Sequence, residues 1–522
     1  LAASKIIDRL SIVKYLFWIL CASAPGAREI TLLNYQFLLT SFIFTSIALI
    51  DPSLSLAQTK RETVPIPQTA KIIDTIQVRF VDKKNQPIEG TTKPEVITRE
   101  FQFQPGDAYS PELAEAGIKG VRSLLIVKRA NLSLETIPHT NRSRVIVTVE
   151  EKNNFFVSFA GTLPAPSALQ GPSRPITVVP LSNESNGTSV GARFGWLNLG
   201  GKNQAIAFGA QGGEDSLGLD IGYRHWLRHD TGYGFNFFNR QGIEPEFDKG
   251  ETEIDLPQGA DPKITRLGGG GEFFFPITQN FTGAAGISYQ LISARDGIFS
   301  PKLQPRDELG NRLTIDDDGQ DTLLTLNFAG VLDKRDRSID PTQGYRLLVG
   351  SDQSLPIGDA NIFYNRLSLQ YASYIPCNLF GFSEGDRTLV LAFQGGTTIG
   401  DLPPYEAFSL GGSKTVRGFG GGELGTGRSF IVTTAEYRFP IVAVRAFKQD
   451  FPIKGTLFID YSSDLGSGDT VPGIPAISRD KPGDGVGYGF GFRSVTPIGV
   501  ARIEFAWTNQ DENAIYFTIG DR

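Results

Sequence analysis

The sequence predicts a mainly β fold: an antiparallel transmembrane β-barrel of about 16 strands, preceded by one small α/β domain of β-α-α-β-β order. Three observations predict it. From Asn153 to Arg522, segments of about ten residues alternate apolar and polar side chains between turn-rich stretches. Where those segments carry charge, Arg and Glu share the face opposite the apolar residues, the inversion expected of a wall with lipid outside and water inside. Short joins, such as the one at Gly499, alternate with long ones, such as Gln241–Lys263 and Ser293–Gln320. A soluble sandwich or propeller shares the alternation but not this pairing of charged faces with unequal rims.

Composition agrees. The 522 residues include 59 Gly, 37 Phe and 15 Tyr but only 4 Trp, a profile of glycine- and aromatic-rich β proteins. A formal charge of −6 excludes a globally basic nucleic-acid binder. Of the two cysteines, Cys21 lies in a segment expected to be removed, which leaves Cys377 with no internal disulfide partner and no Cys-based metal site. Three His are a poor inventory for acid/base or metal chemistry, so no catalytic residue, metal or cofactor is expected. Met is absent even at position 1, and residue 1 is not read as the natural start.

Residues 1–57 read as a leader. Ile12–Ala24 and Leu32–Ile50 are apolar, and Ser55 and Ala57 occupy the −3 and −1 positions for cleavage before Gln58. A transmembrane anchor over Leu32–Ile50 is the alternative, although Asn34 and Gln36 interrupt it; acidic residues and long apolar runs argue against a plastid transit peptide. No comparable run follows, so a mature membrane protein would have to cross as a barrel. After a Pro-containing linker, 58–70, the α/β domain spans 71–152. It has a strand at Lys71–Val81, a short helix at Pro94–Glu100 and a helix capped by Ser110 with Pro111 at its first position. Strands at Leu124–Glu135 and Arg144–Glu151 complete it.

The barrel, 153–522, has strand starts near Phe155, Val190, Ala205, Leu217, Gly232, Ile264, Thr282, Thr322, Gly344, Phe363, Leu389, Phe430, Lys454, Gly485, Val500 and Ala514. Near Val500, Ala501, Ile503, Phe505 and Trp507 share the outer face, while Arg502, Glu504 and Thr508 point in. In Ile431–Phe439, Glu436 and Arg438 oppose Ala435, Tyr437 and Phe439.

One loop stands out. Gly411–Gly425 is laden with glycine and carries Arg417; within the connection 402–428 it can fold back tightly into the lumen. An arginine there needs a carboxylate. In Gly455-Thr-Leu-Phe-Ile-Asp460, Leu457 and Ile459 suit lipid, which turns Phe458 and Asp460 inward to meet Arg417. The bland alternative is an exposed hairpin tip. A charge swap of Arg417 and Asp460 is expected to restore part of what either change removes.

Three of these elements resemble the signatures of the BamA/TamA/two-partner-secretion/Toc superfamily, the outer membrane protein 85 family. They are Val416-Arg417-Gly418-Phe419; the Gly455-x-x-Phe458-x-Asp460 strand; and Asp333-Lys-Arg335-Asp336 followed by Asp340-Pro341-Thr-x-Gly344. Residues 71–152, with the Pro105-Gly106-Asp107-x-Tyr109-Ser110 turn, resemble that family's polypeptide-transport-associated (POTRA) domain. Glu423-Leu-Gly-Thr-Gly-Arg-Ser429 is similar to members from cyanobacteria and the plastid lineage. Family members commonly carry several POTRA domains, and this sequence has room for one. It also ends Phe517-Thr-Ile-Gly-Asp-Arg522, without the terminal aromatic of many outer-membrane strands.

The resemblance implies a non-enzyme in a bacterial outer membrane or plastid outer envelope, with the POTRA domain on the periplasmic or intermembrane side. It would insert β-barrel proteins or translocate unfolded polypeptide. Partners would be unfolded outer-membrane or secreted clients, the lipid bilayer, and periplasmic chaperones or accessory subunits, but no nucleic acid. The other reading is a passive pore or surface structural protein. Gly420–Gly425 matches a dinucleotide glycine pattern but opens no helix. His225 and His229 have the spacing of a helical metal pair yet fall at a strand end, and Asp316-Asp-Asp318-Gly reads as a solvated turn.

Overall fold

A computed structural model describes residues 71–160, 189–213, 216–278, 280–358, 361–446, 449–496 and 499–519. The expected leader 1–57, the linker 58–70 and the last three residues lie outside them.

The first part of the chain builds β1 (Ile72–Phe80), α1 (Pro94–Thr98), α2 (Pro111–Ser123), β2 (Val127–Thr136) and β3 (Arg142–Glu151). The sheet order is β1-β3-β2, with β1 parallel and β2 antiparallel to β3. Helix α2 begins where Ser110 Oγ accepts the Leu113 amide at 3.3 Å, a cap worth about 1 kcal/mol. Pro111 takes the first position, where no amide is needed. Its Ala114, Ile118 and Val121 lie on one stripe and pack with Ile73, Val96, Ile97, Val145 and Val147.

A sheet of 16 strands follows, running β21 to β4 in chain order. Its strands are β4 (Phe155–Ala160), β5 (Ser189–Trp196), β6 (Gln204–Gly213), β7 (Ser216–Arg228), β8 (Thr231–Gly242), β9 (Lys263–Thr278), β10 (Phe281–Arg295), β11 (Gln320–Asp333), β12 (Gly344–Leu355), β13 (Tyr364–Pro376) and β14 (Thr388–Gly400). A small hairpin, β15 (Phe408–Leu410) and β16 (Gly425–Gly427), interrupts the order before β17 (Ser429–Ala446), β18 (Gln449–Ser463), β19 (Asp484–Thr496), β20 (Gly499–Thr508) and β21 (Asn513–Ile519). Each expected strand start falls at or beside one of these, with β18 beginning earlier, at Gln449. Among the described residues, every neighbouring pair in this sheet is antiparallel and no pairing joins β21 to β4.

Side-chain parity sorts the two faces. On β7, Leu219 and Ile221 are exposed outside while Asp220 and Arg224 are buried inside. On β20, Ile503 and Trp507 face out and Arg502, Glu504 and Thr508 face in. One expectation needs correction: Tyr437 and Phe439 face out but are buried. The connection 377–387 folds back over them, placing Phe380 4.7 Å from Phe439 and 5.0 Å from Tyr437. The Tyr437 hydroxyl accepts the Leu379 and Phe380 amides at 3.2 and 3.1 Å and donates to the Phe380 carbonyl at 2.7 Å. A single strand's alternation carries no sign of such a cover.

Antiparallel order puts 197–203, 229–230, 334–343 and 377–387 on one rim, and the longer 243–262, 296–319, 401–428 and 464–483 on the other. The long segments pack together. Arg479 donates to the Ile254 carbonyl at 3.1 Å and Lys481 to the Pro245 carbonyl at 2.8 Å. Phe247 and Leu256 of the first, Leu313 of the second and Tyr405 of the third share one apolar cluster.

The α/β part meets the short rim. Glu100, after α1, accepts the His229 amide at 3.1 Å and its Nδ1 at 2.6 Å. Arg99 donates to the Trp226 carbonyl at 2.6 Å, and Asn198 to Thr92 Oγ1 at 2.8 Å. Burial of the His229 ring works against protonation, but the hydrogen bond to Glu100 and the charges of Asp230 and Glu100 outweigh it and raise its pKa.

Candidate functional site

The connection 401–428 turns inward and is almost wholly buried. Its base is the β15–β16 ladder, Phe408 opposite Gly427 and Leu410 opposite Gly425. Between them the chain is folded by Thr415, whose Oγ1 accepts the Gly411 amide at 2.8 Å, and by the Gly412 amide on the Phe419 carbonyl at 3.0 Å. Val416, Phe419 and Leu424 pack with Phe430 and Val432 of β17, which hides the apolar half of the loop against the wall. Gly418 has φ 109°, a conformation open to glycine, and this turns the chain immediately after Arg417.

Arg417 is completely buried, and all three of its side-chain nitrogens are engaged. Nε and Nη2 donate side-on to the two oxygens of Asp460 at 2.7 and 3.0 Å. Nη1 reaches Glu436 at 2.9 Å and Glu504 at 2.6 Å. Its Cζ lies 3.4 Å from the centre of the Phe458 ring. Even the Arg417 amide points at Asp460 Oδ2, 3.3 Å away, and Thr434 Oγ1 donates to the same carboxylate at 2.7 Å. The planar five-donor fork of arginine suits this arrangement and a lysine point charge does not. Sequence parity pairs Arg417 with Asp460 alone. It puts Glu436 and Glu504 on the inner face without bringing them to this point, because convergence depends on the curvature of the wall.

The third signature element joins the same network from the short rim. Arg335 grips Asp333 at 2.9 and 2.7 Å. Burial pushes the Asp336 carboxyl up, but the hydroxyl and amide of Thr342 and the amide of Gln343 outweigh it and hold it well below the usual range. These bonds fold the turn that carries the buried Pro341 and ends at Gly344, where β12 starts. Asp340, between them, takes Lys454 at 2.6 Å and Arg493 at 3.4 Å. Arg493 also approaches Glu436 at 3.5 Å, as does Arg438 at 2.7 Å. Arg417, Arg438, Arg493 and Lys454 thus face Asp460, Glu436, Glu504 and Asp340, a balance of charge that buried ions require.

The opposite end of the loop is held too, with polarity reversed, and the sequence reading missed it. Glu406 accepts from Arg266 of β9 at 2.6 Å and from Arg366 of β13 at 3.2 Å. Arg266 also donates to the Tyr405 carbonyl at 2.6 Å, and the Tyr405 hydroxyl donates to Asp321 of β11 at 2.7 Å. A second missed feature had a signal in the chain. Gly485, Gly487, Gly489 and Gly491 recur at every second position of β19 and make its inner face bare of side chains where the loop lies.

Other sequence candidates fall elsewhere. His225 bonds Tyr233 at 3.1 Å and His229 belongs to the joint with Glu100, so they share no centre. The Gly420 amide bonds Glu423 within the loop. The acidic turn at 316–318 is anchored at its start, where the Ile315 and Asp316 amides donate to the buried Asp321 at 2.7 and 2.8 Å.

Apolar strands outside, charges inside and a loop seated across the lumen define an outer-membrane β-barrel protein. The chain belongs to the Omp85 superfamily, whose domain matches residues 198–522. It is 27% identical over 458 residues to the chloroplastic outer envelope protein 80 of Arabidopsis thaliana, covering 86% of this chain and 57% of that protein. It is 26% identical over 490 residues to the chloroplastic protein TOC75 of Pisum sativum, covering 86% and 56%. The chain therefore spans a little over half the length of these relatives. Among solved structures, BamA from Haemophilus ducreyi lacking POTRA domains 1-3 matches with a TM-score of 0.54 at 17% identity, covering 85% of this chain and 84% of that one. CdiB from Escherichia coli matches with a TM-score of 0.56 at 11% identity, covering 85% and 76%.

Proposed function

We propose that this chain handles unfolded polypeptide at an outer membrane, inserting β-barrel clients into the bilayer or passing unfolded chain across it. In this reading, residues 71–152 are a POTRA domain on the periplasmic or intermembrane side and 153–522 are the barrel. Kinship with chloroplastic proteins favours a plastid outer envelope or its cyanobacterial counterpart. Chaperones and accessory subunits would meet the chain on the short rim.

The observation that carries the reading is the combination of a filled lumen with two sheet ends unpaired among the described residues. Arg417 and its loop occupy the space a passive pore would leave open, which weighs against that alternative. The ends of the sheet, β4 and β21, retain backbone groups able to add an incoming strand. The Val416–Phe419 loop, its Gly455–Asp460 wall and the Asp333–Gly344 turn would hold the lumen shut while the edge works.

Purified full-length protein in lipid vesicles, given an unfolded barrel client, should convert it to a protease-resistant membrane form. A disulfide linking β4 to β21 should block that conversion until reduced. Equal conversion with the strands locked would overturn the edge as the working surface. Steady solute conductance without client conversion would favour the pore.

A further inference from the structure

We infer that Tyr516 is a positioning residue that latches the last strand to the inward loop, so that the position of the loop sets how firmly the edge strand is held. The inference rests on the proposed use of that edge by a client.

Strand β21 is short and, among the described residues, pairs on one side only, with β20. Its outward residues Ile515 and Phe517 are 71% and 68% exposed. Of the inward residues, Tyr516 reaches across to the loop. Its hydroxyl accepts the Gly418 amide at 2.9 Å and donates to the Phe419 carbonyl at 2.8 Å. Both partners are main-chain groups of the two residues that follow Arg417, so the hydroxyl reads where the loop backbone lies.

The neighbouring strand reinforces the link. Tyr516 is the register partner of Glu504, which takes Arg417 Nη1 at 2.6 Å. The anchor of the loop and the tether of the edge therefore sit side by side on β20 and β21. Because a hydrogen bond weakens steeply once stretched or bent, a loop shift of about 1 Å would break both bonds of the hydroxyl together. Such a shift would leave β21 with only the β20 ladder. Release of the edge then follows from movement of the loop and needs no contact between client and Tyr516.

Hydrogen exchange on the full chain in lipid nanodiscs tests the latch without any client. In Tyr516→Phe, which keeps the ring, the β20-bonded amides of 513–519 should exchange roughly fivefold to tenfold faster, with 484–496 unchanged. Thr518→Val removes a neighbouring inward hydroxyl that has no hydrogen-bond partner among the described residues, and should change nothing. Unchanged exchange in Tyr516→Phe, or an equal rise in Thr518→Val, would overturn the latch. Client conversion is then measured on the same samples. Faster exchange with an altered conversion rate supports the latch and its use. Faster exchange with no conversion by either protein supports the latch and counts against the proposed function.

Discussion

The α-carbon of Gly487 on β19 faces the carbonyl oxygen of Arg417 so closely that a methyl group on it would overlap that oxygen. The wall at this point is bare backbone. Gly487→Ala should therefore displace the loop, at a cost of about 1–3 kcal/mol typical of overpacking. Hydrogen exchange of the loop amides 411–424 should rise, whereas Gly212→Ala, which has open space around it, should leave them as they are.

Removing one partner of the Arg417 cluster leaves buried charge unpaired, a loss of about 3–5 kcal/mol. Arg417→Lys should be nearly as damaging as Arg417→Ala, because a point ammonium with three donors cannot reproduce the bidentate grip on Asp460 and also reach Glu436 and Glu504. The swap Arg417→Asp with Asp460→Arg should fail to rescue, against the expectation from the sequence. The new carboxylate would face Glu436 and Glu504, which hold Arg417 now. Heat-modified mobility of the folded barrel and limited proteolysis within 402–428 would report both outcomes.

The two ends of the loop should come loose separately. Glu406→Gln removes the charge held by Arg266 and Arg366 and should expose 402–410 to protease while 416–419 stays protected. Combined with Arg417→Ala it should free the whole loop. Planar-bilayer recordings would then show large openings that neither single variant gives.

The joint between Glu100 and His229 should respond to pH. The pKa of His229 is raised in the folded protein, so its contribution is complete below the ordinary histidine value and is lost as pH rises through the raised one. Distance distributions between spin labels on α2 and on the short rim should be narrow in mild acid and broaden above neutrality. His229→Gln should abolish that dependence.

The sheet was legible because period-two alternation is set by the backbone itself, and each strand repeats it. Asp460 could be assigned to Arg417 because parity from Leu457 and Ile459 fixes its side of the wall. Glu436 and Glu504 were placed on the correct face, but no single strand says which residues of distant strands meet. Tyr405 and Glu406 gave no local signal, since their partners lie on β9, β11 and β13. The burial of Tyr437 and Phe439 likewise depends on a connection remote in the chain. The alternating glycines of β19 were visible, and their meaning became plain only with the loop beside them.

Glu406 ties the loop to the middle of the sheet and Arg417 ties it to the final strands, with opposite signs at the two ends. Seated the wrong way round, it would set like charge against like, so the sheet accepts it in one sense only. The loop is thus a brace across the inner face of the sheet. Strands β9 and β13 are thereby tied to β17, β18 and β20 through the inner face as well as along the ladders between them, so these distant strands hold their spacing by two independent routes.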